Sequence, residues 1–374
     1  MKRPLVTVLM ALYNGGEYLK QSVESVLNQT YGNFEFLIVN DCSTDGSLKT
    51  IESFHDERIK VHNNTMNLGQ TKSLNIGLKL AKGEYYARMD GDDVALPQWL
   101  EAQVEAIEEL SDFSVVSSYA LAIDEHNRIK KIYKPPLDTE DIILRSLITS
   151  PIHHVGSIFR TRDIIESGGY DERYVYAADY ELWERLLRKG FKITTTPKVL
   201  VAIREHAQSV SRSEHGRLDL EEIKELAGKN INRFVHAKFS DEEVSLFCRA
   251  NYDEGNLTDA EFNEALEATK KVYMNLAPSL NVEERKITQW TKKRCTTIYL
   301  KRIFSIIRRK DYGAARALSL KGIKEFGLLS IFTMLWAASF FSGAALIFIP
   351  EFYHKILRKR ARLQLGVLNM GVFH

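Results

Sequence analysis

Cysteine is scarce in this sequence. Cys42, Cys248 and Cys295 are the only three among 374 residues, and no two stand at the close spacing of a metal-binding pair. That argues against a disulfide framework or a cysteine zinc site and fits a reducing compartment. A cleavable leader is not expected either. The start, MKRPLVTVLMALYN, has two basic residues before an apolar run, but a small-residue cleavage site is missing and Asn14, Gly15 and Glu17 soon interrupt the run. It reads as the first strand of a fold. No internal repeat or low-complexity stretch stands out. A glycine-rich phosphate loop with a basic residue is lacking as well, since Tyr13-Asn-Gly-Gly16 carries no Arg or Lys. This argues against a nucleotidyltransferase.

What remains is an ordinary globular composition, 44% apolar and 27% charged, with a net charge of +2. The balance hides an asymmetry. Basic residues outnumber acidic ones from Glu283 to Gly327, with clusters at Lys292-Lys293-Arg294 and Arg308-Arg309-Lys310. From Leu328 to Ile349 no residue is charged, and the tail is basic again at Lys355, Arg358, Lys359, Arg360 and Arg362. The apolar run is long enough to cross a bilayer. Basic flanks on both sides give no orientation by the positive-inside rule. A re-entrant or interfacial segment would set both flanks against anionic lipid, and a buried core helix is the remaining reading.

The first half alternates strands and helices. Leu5–Met10, Phe34–Val39, Ile59–His62, Glu84–Met89 and Ser114–Ala122 read as strands, and Glu17–Gln29, Gln70–Ala81 and Trp99–Leu110 as helices. Pro97 is placed to start the last of these. Such alternation predicts an open, largely parallel sheet with helices on both faces, binding ligands at the carboxyl ends of its strands. Asp41 and Asp90 both end strands, so two carboxylates meet at one crevice. The middle adds a helix over Thr139–Ile148, a strand near Val155–Arg160 and a helix over Asp179–Arg188. From Glu214 onward the pattern is nearly all helical, with capping boxes at Ser240–Glu243 and Thr258–Glu261.

Asp90-Gly91-Asp92-Asp93 leaves a strand and precedes a helix. Three carboxylates so close repel one another unless a cation neutralises them, and hard oxygen ligands suit Mg²⁺ or Mn²⁺. Taken alone, the same tetrapeptide also reads as a solvated acidic turn that caps a helix.

The surrounding segments change that balance. Pro4–Asn14, Glu17–Leu19, Ser25–Tyr31, Phe34–Ser47 (FEFLIVNDCSTDGS), Asn67–Gly69 and Gly83–Pro97 (GEYYARMDGDDVALP) follow in order. Together they resemble the family-two glycosyltransferases of the GT-A fold over roughly residues 4 to 211. The resemblance implies sugar transfer from a nucleotide-diphosphate donor, with a UDP-sugar expected, and inversion at the anomeric carbon. It places Ala11 and Tyr13 at the nucleotide base, where an aromatic face can stack, and Asp41 at the base edge, with Asp45 supporting its loop or capping the next helix. Asp90 is expected near the ribose or donor sugar, and Asp92 on a Mn²⁺ or Mg²⁺ bridging the diphosphate. Asp93 either orients the donor or caps the following helix.

Gly168–Glu172 with Ala177–Arg185 is similar to the family's "GGYDE … EDYELW.R" segment. It makes Asp179 the general base, a carboxylate near a helix start that takes the acceptor proton. Ala178 departs from the acidic or amide residue common there. Glu181 and Trp183 shape the acceptor side or simply pack. Arg204-Glu-His206, with Ser209 and Ser211, resembles the family's "R.H..S.S" element, so Arg204 is expected at the donor phosphates and His206 at the metal. His153 and His154 could line the acceptor pocket, though neighbours on a strand point to opposite faces and would not share an ion.

The implied organisation is a GT-A catalytic domain over 1–211, with a nucleotide-sugar half at 1–95 and an acceptor half at 96–211. A helical module over 212–326 and an apolar, membrane-associating segment with a basic tail over 327–374 follow. The expected acceptor is a glycan or polyprenyl-linked oligosaccharide for surface polysaccharide, worked on at the cytoplasmic face of the plasma membrane. No nucleic-acid partner is expected. A polyprenyl-phosphate sugar synthase and a nonenzymatic nucleotide- or membrane-binding relative are the alternatives. The long helical region disfavours the first, and intact Asp41, Asp92 and Asp179 the second.

Overall fold

The structure, a computed structural model, describes residues 3–206, 216–252, 257–276, 280, 282–309 and 311–326. The apolar run 328–349, the basic tail, Ser209 and Ser211 lie outside the described residues. Among those described, no helix is long and apolar enough to cross a membrane.

β1 (Val6–Leu12) and β2 (Phe34–Asn40) are apolar at almost every position and buried on both faces, the pattern of central strands in a parallel sheet. Side chains alternate across β1. Val6, Val8, Met10 and Leu12 join a cluster with α1 (Leu19–Leu27) and α4 (Trp99–Glu109). Leu9 joins the opposite cluster, with α3 (Gln70–Leu80) and α7 (Ala178–Arg188). The approach of α3 is close enough to require glycine, because a Cβ on Gly77 would sit 2.2 Å from Leu9 Cδ1. Pro97 lies one residue before Gln98, the N-cap of α4.

β3 (Ile59–Asn63), β2, β1 and β4 (Tyr85–Arg88) pair in parallel in that order. Beyond β4 the expected largely parallel sheet needs correcting, because it becomes mixed. β8 (Ile158–Arg160) runs antiparallel to β4 and to β6 (Phe113–Ile123). β7 (Ile129–Tyr133) is the return arm of a hairpin from β6, and a short hairpin can join only antiparallel strands. Its turn is closed by Asp124 N–H donating to Arg128 O and by Asn127 at φ 61°. β9 (Lys192–Arg204) restores a parallel pairing to β6, and the two-residue β5 (Val94–Ala95) lies antiparallel against it. α2 (Ser47–Glu52), α5 (Thr139–Ser146) and α6 (Thr161–Ser167) complete this part, α6 ending in the left-handed Gly168 at φ 108°.

The chain divides into two compact units after Ile223, within α8 (Gly216–Phe234). The expected boundary at 211–212 lies outside the described residues. The second unit holds α9 (Asp241–Tyr252), α10 (Asp259–Met274), α11 (Glu284–Arg308) and α12 (Tyr312–Phe326). Leu246, Phe262, Leu266, Tyr299 and Ile303 form its core. Both capping boxes are made, with Ser240 and Glu243 bonding reciprocally, and Thr258 and Glu261 likewise.

Candidate active site

The register of the parallel strands sets the crevice. Leu12 of β1 stands opposite Asn40 of β2, so Tyr13 and Asp41 emerge side by side. Leu9 stands opposite Arg88 of β4, and the same register carried two residues on puts Asp90 level with Ala11. The two loops at this edge are laced together. Asn14 Oδ1 accepts from Thr44 N–H at 2.8 Å, Gly15 N–H donates to Ser47 Oγ at 2.8 Å, and Gly16 N–H donates to Asp45 Oδ2 at 3.2 Å. Asp45 thus supports the loop; burial pushes its carboxyl up, but bonds from the Ser47 hydroxyl and amide and from Gly16 N–H outweigh this and hold it below the usual range. Ala11 is half-buried, while Tyr13 is 50% exposed and presents an open ring at the strand ends.

Asp41 is buried and already employed. Its carboxylate accepts from Asn64 Nδ2, Leu68 N–H and Gly69 N–H, each at 2.8 Å. This explains Asn67-Leu-Gly69, since the loop turns at Gly69 (φ 87°) to offer its amides and then starts α3. A carboxylate has about four acceptor positions, so one more donor can be taken.

Two buried arginines, one from each half of the sheet, hold the turn Asp90–Asp93. Arg88 of β4 is fully buried and bonds Met89 O and Asp90 Oδ1. Burial pushes the Asp90 carboxyl up and Arg88 opposes it, while Asp92 pushes it further up. Arg204 ends β9 with its guanidinium among protein acceptors: Asp92 O at 2.9 Å, Asp124 O at 3.2 Å, Asn127 Oδ1 at 2.7 Å and Gln21 Oε1 at 2.8 Å. It also lies 4.4 Å over the Tyr18 ring. The Arg204 N–H donates to Asp93 Oδ1 at 2.7 Å. Asp93 is therefore a buried anchor to β9 rather than a helix cap. Burial, Asp92 and Asp90 push its carboxyl well up.

Asp92 faces differently. Its Oδ2 lies 2.9 Å from His206 Nε2, and the His206 ring stands 5.2 Å from that of Tyr18. Adjacent ligands of an octahedral Mg²⁺, each about 2.1 Å from the ion, are about 3 Å apart. The pair is thus spaced as one edge of such a shell, with an oxygen and an imidazole nitrogen that suit Mn²⁺ as well. Among the described residues no group of three or more His, Cys, Asp or Glu gathers to hold an ion.

Asp179 is the second residue of α7 and is partly exposed. Its Oδ2 accepts from Ser150 Oγ at 2.9 Å and its Oδ1 from Tyr180 N–H at 2.7 Å. The preceding loop is tied to α3, where Asn75 exchanges two bonds with the Tyr170 backbone and Thr71 Oγ1 donates to Tyr174 O at 3.0 Å. Glu181 pairs with Arg185, which reaches Ser167 O and Gly169 O, and Trp183 stacks on Phe159 at 5.4 Å. Both residues pack. His154 bonds Tyr170 Oη at 2.8 Å, whereas His153 lies 4.9 Å from the Tyr133 ring, so the two imidazoles face different neighbours. Burial lowers both, His153 to about 4.

Sequence reasoning missed Arg88, Ser150 and Ser22, whose Oγ donates to Asp90 O at 2.7 Å. Arg88 did leave a signal. A cation inside a strand otherwise buried throughout needs a partner, and Asp90 is the nearest carboxylate in sequence. The serines left none.

Residues 7–168 match the family model Glycosyl transferase family 2. An uncharacterized glycosyltransferase of Haemophilus influenzae is 34% identical over 248 residues, covering 62% of this chain and 75% of that protein. The amylovoran biosynthesis glycosyltransferase AmsE of Erwinia amylovora is 30% identical over 212 residues, covering 56% of this chain and 79% of AmsE. Among solved structures, S. aureus TarS 1–349 in complex with UDP-GlcNAc superposes with a TM-score of 0.54 at 19% identity, over 84% of this chain and 90% of that one. At that identity the likeness is one of fold.

Proposed function

The chain belongs to glycosyl transferase family 2, and on that premise we propose that it moves a sugar from a nucleotide-diphosphate donor to a glycan acceptor, with inversion, in polysaccharide biosynthesis. The observation that carries this reading is the pairing of Asp92 and His206 at 2.9 Å, beside the strand ends that present Tyr13 and Asp41. The polysaccharide context is supported by AmsE, a relative named for amylovoran biosynthesis.

In this reading Tyr13 stacks on the base and Asp41 uses its remaining acceptor position on a base N–H. Arg88 holds Asp90 toward the ribose or donor sugar. Arg204 and Asp93 fix the turn from the other side, so Asp92 meets His206 without searching. Arg204 then serves the donor through the turn it holds. Asp92 and His206 would hold Mg²⁺ or Mn²⁺, which neutralises the charge of a departing nucleoside diphosphate. Asp179 takes the proton from the acceptor hydroxyl as its oxygen bonds to the anomeric carbon. The bond from that carbon to the diphosphate breaks on the opposite side, and the diphosphate leaves with the electron pair. One base and one in-line displacement give inversion.

The test is a panel of UDP-glucose, UDP-galactose, UDP-N-acetylglucosamine and GDP-mannose, each with and without Mn²⁺, read as nucleoside diphosphate release. Release from at least one donor, lost on chelation and in Asp92→Asn, is expected. Release from none, or release indifferent to both changes, overturns the reading.

The lipid-linked acceptor and the membrane site rest on the uncharged run 328–349 and its basic flanks. Cell fractionation of the full chain against a chain ending at Lys324 tests them. Equal solubility of the two sinks this part of the proposal.

A further inference from the structure

α7 starts without a cap of its own. Its N-cap residue is Ala177, which has no side chain that can accept, and Ala178 follows. The first amides of a helix need acceptors, and the positive end of the helix attracts a carboxylate. Here a carboxylate from far along the chain binds the N-cap amide, Ala177, together with the two amides that lead into the helix, Val175 and Tyr176. Glu222 of α8 accepts from Val175 N–H at 3.0 Å through Oε1, and from Tyr176 N–H at 3.0 Å and Ala177 N–H at 2.7 Å through Oε2. Three consecutive backbone donors converge on one carboxylate, two residues before Asp179.

The same loop is gripped from the other side by α3, through Thr71 on Tyr174 O and Asn75 on Tyr170. α3 begins at Gly69, whose amide is bound by Asp41. One arm therefore runs from the base-edge carboxylate through α3 to residues 170–174. The other is Glu222, which alone in this pair of arms brings a charge to residues 175–177.

We propose that Glu222 is a positioning residue for the transfer reaction, a cap supplied from α8 that sets the first turn of α7 and so aims the Asp179 carboxylate. The proposal rests on Asp179 being the base. Glu222 touches neither donor nor acceptor in this role. Its removal takes the charged acceptor from three amides at the entry to α7, loosens that entry and disperses the orientation of Asp179, while Tyr13, Asp41 and the Asp92–His206 pair stay in place. The signature is a fall in turnover without a fall in donor affinity.

Glu222→Ala, Glu222→Gln and wild type are compared in the full chain by two measurements. The first is hydrogen exchange of the peptides spanning 171–183, which requires no donor. Glu222→Ala is expected to speed exchange at 175–177 and the first turn of α7 by at least tenfold, with the α3 peptides unchanged. The second is nucleoside diphosphate release from the best donor of the panel. Glu222→Ala is expected to lower kcat about tenfold with donor KM within twofold. Glu222→Gln falls between, because its amide keeps one accepting oxygen for Tyr176 and Ala177 but turns an NH₂ toward Val175 N–H.

Unchanged exchange in Glu222→Ala overturns the cap. Faster exchange with unchanged kcat overturns the positioning role, and so does a loss of kcat matched by a rise in donor KM and a collapse of Tm. A wild type that releases nucleotide from no donor sinks the transferase reading instead, and the exchange result then still decides whether Glu222 caps α7.

Discussion

The two halves of the sheet each send one buried arginine to the same acidic turn, and they do it by different means. Arg88, from the parallel half, is fully buried and meets a partly exposed carboxylate, Asp90, so that the two charges compensate. Arg204, from the mixed half, spends its guanidinium on neutral oxygens from four residues and leaves its own backbone N–H to hold Asp93. The first arrangement neutralises the turn, and the second fixes its shape. Together they leave Asp92 as the carboxylate turned toward His206. The lesson is that the surplus charges of an acidic cluster can be matched elsewhere while one carboxylate is left to face an imidazole.

The comparison can be broken at several points. The largest effect is expected at Asp179, the proposed base, in the mixed half. Asp179→Asn should lower kcat by about 10²- to 10⁴-fold, the usual worth of a general base, with UDP affinity by calorimetry unchanged. A loss of UDP affinity of the same size would place Asp179 on the donor side instead. Next comes Arg88→Met, which leaves the partly buried Asp90 without its counter-charge. About 3–5 kcal/mol of stability should be lost by urea unfolding, as for other broken buried pairs. Arg204→Met should cost less, about 1–3 kcal/mol for acceptors left unpaired, but should raise the Mn²⁺ concentration needed for half-maximal release. Equal stability losses would erase the distinction between neutralising and shaping.

A further prediction concerns Tyr13 in the parallel half. Tyr13→Ala should weaken UDP binding by about 1–3 kcal/mol, the worth of one base stacked on an aromatic ring, while Tm stays unchanged because the ring is half exposed.

The smallest effect is expected at Glu205, between Arg204 and His206. Burial pushes its carboxyl up, but bonds from Lys130 and Tyr133, with Lys131 nearby, outweigh this and hold it at about 2. A carboxyl lower in the folded chain than in the unfolded one stabilises the fold at high pH. That contribution is complete above the unfolded value near 4.5 and is lost as pH falls toward 2. Glu205→Gln should lower stability at pH 7, where the contribution is complete, and flatten the acid-unfolding curve so that it meets the wild-type curve near pH 2. An identical curve for the variant would mean that Lys130 and Lys131 do not hold the mixed half together.

How much could be read beforehand differs between the halves for the same reason. β1, β2 and β4 are continuous apolar strands, and Tyr13, Asp41 and Asp90 mark their ends, so local pattern and site coincide. In the mixed half they separate. β8 begins at Ile158 rather than Val155, because residues up to Ser157 are spent on turns. β5 is two residues long and makes sense only against β9. The antiparallel pairing of β6 with β7 depends on a hairpin at Asp124–Arg128 that carries no glycine to announce it.

The sequence by itself determined that a parallel α/β edge would present Tyr13, Asp41 and an acidic turn, since strand periodicity and strand ends are local properties of the chain. It also determined the two capping boxes, which need only residues three apart. The tertiary structure decided which aspartate would face His206, that Asp93 would be an anchor and Arg204 a brace, and that α7 would take its cap from Glu222. These outcomes depend on burial and on partners tens of residues or more away, where a carboxylate's role is set by which donors reach it first.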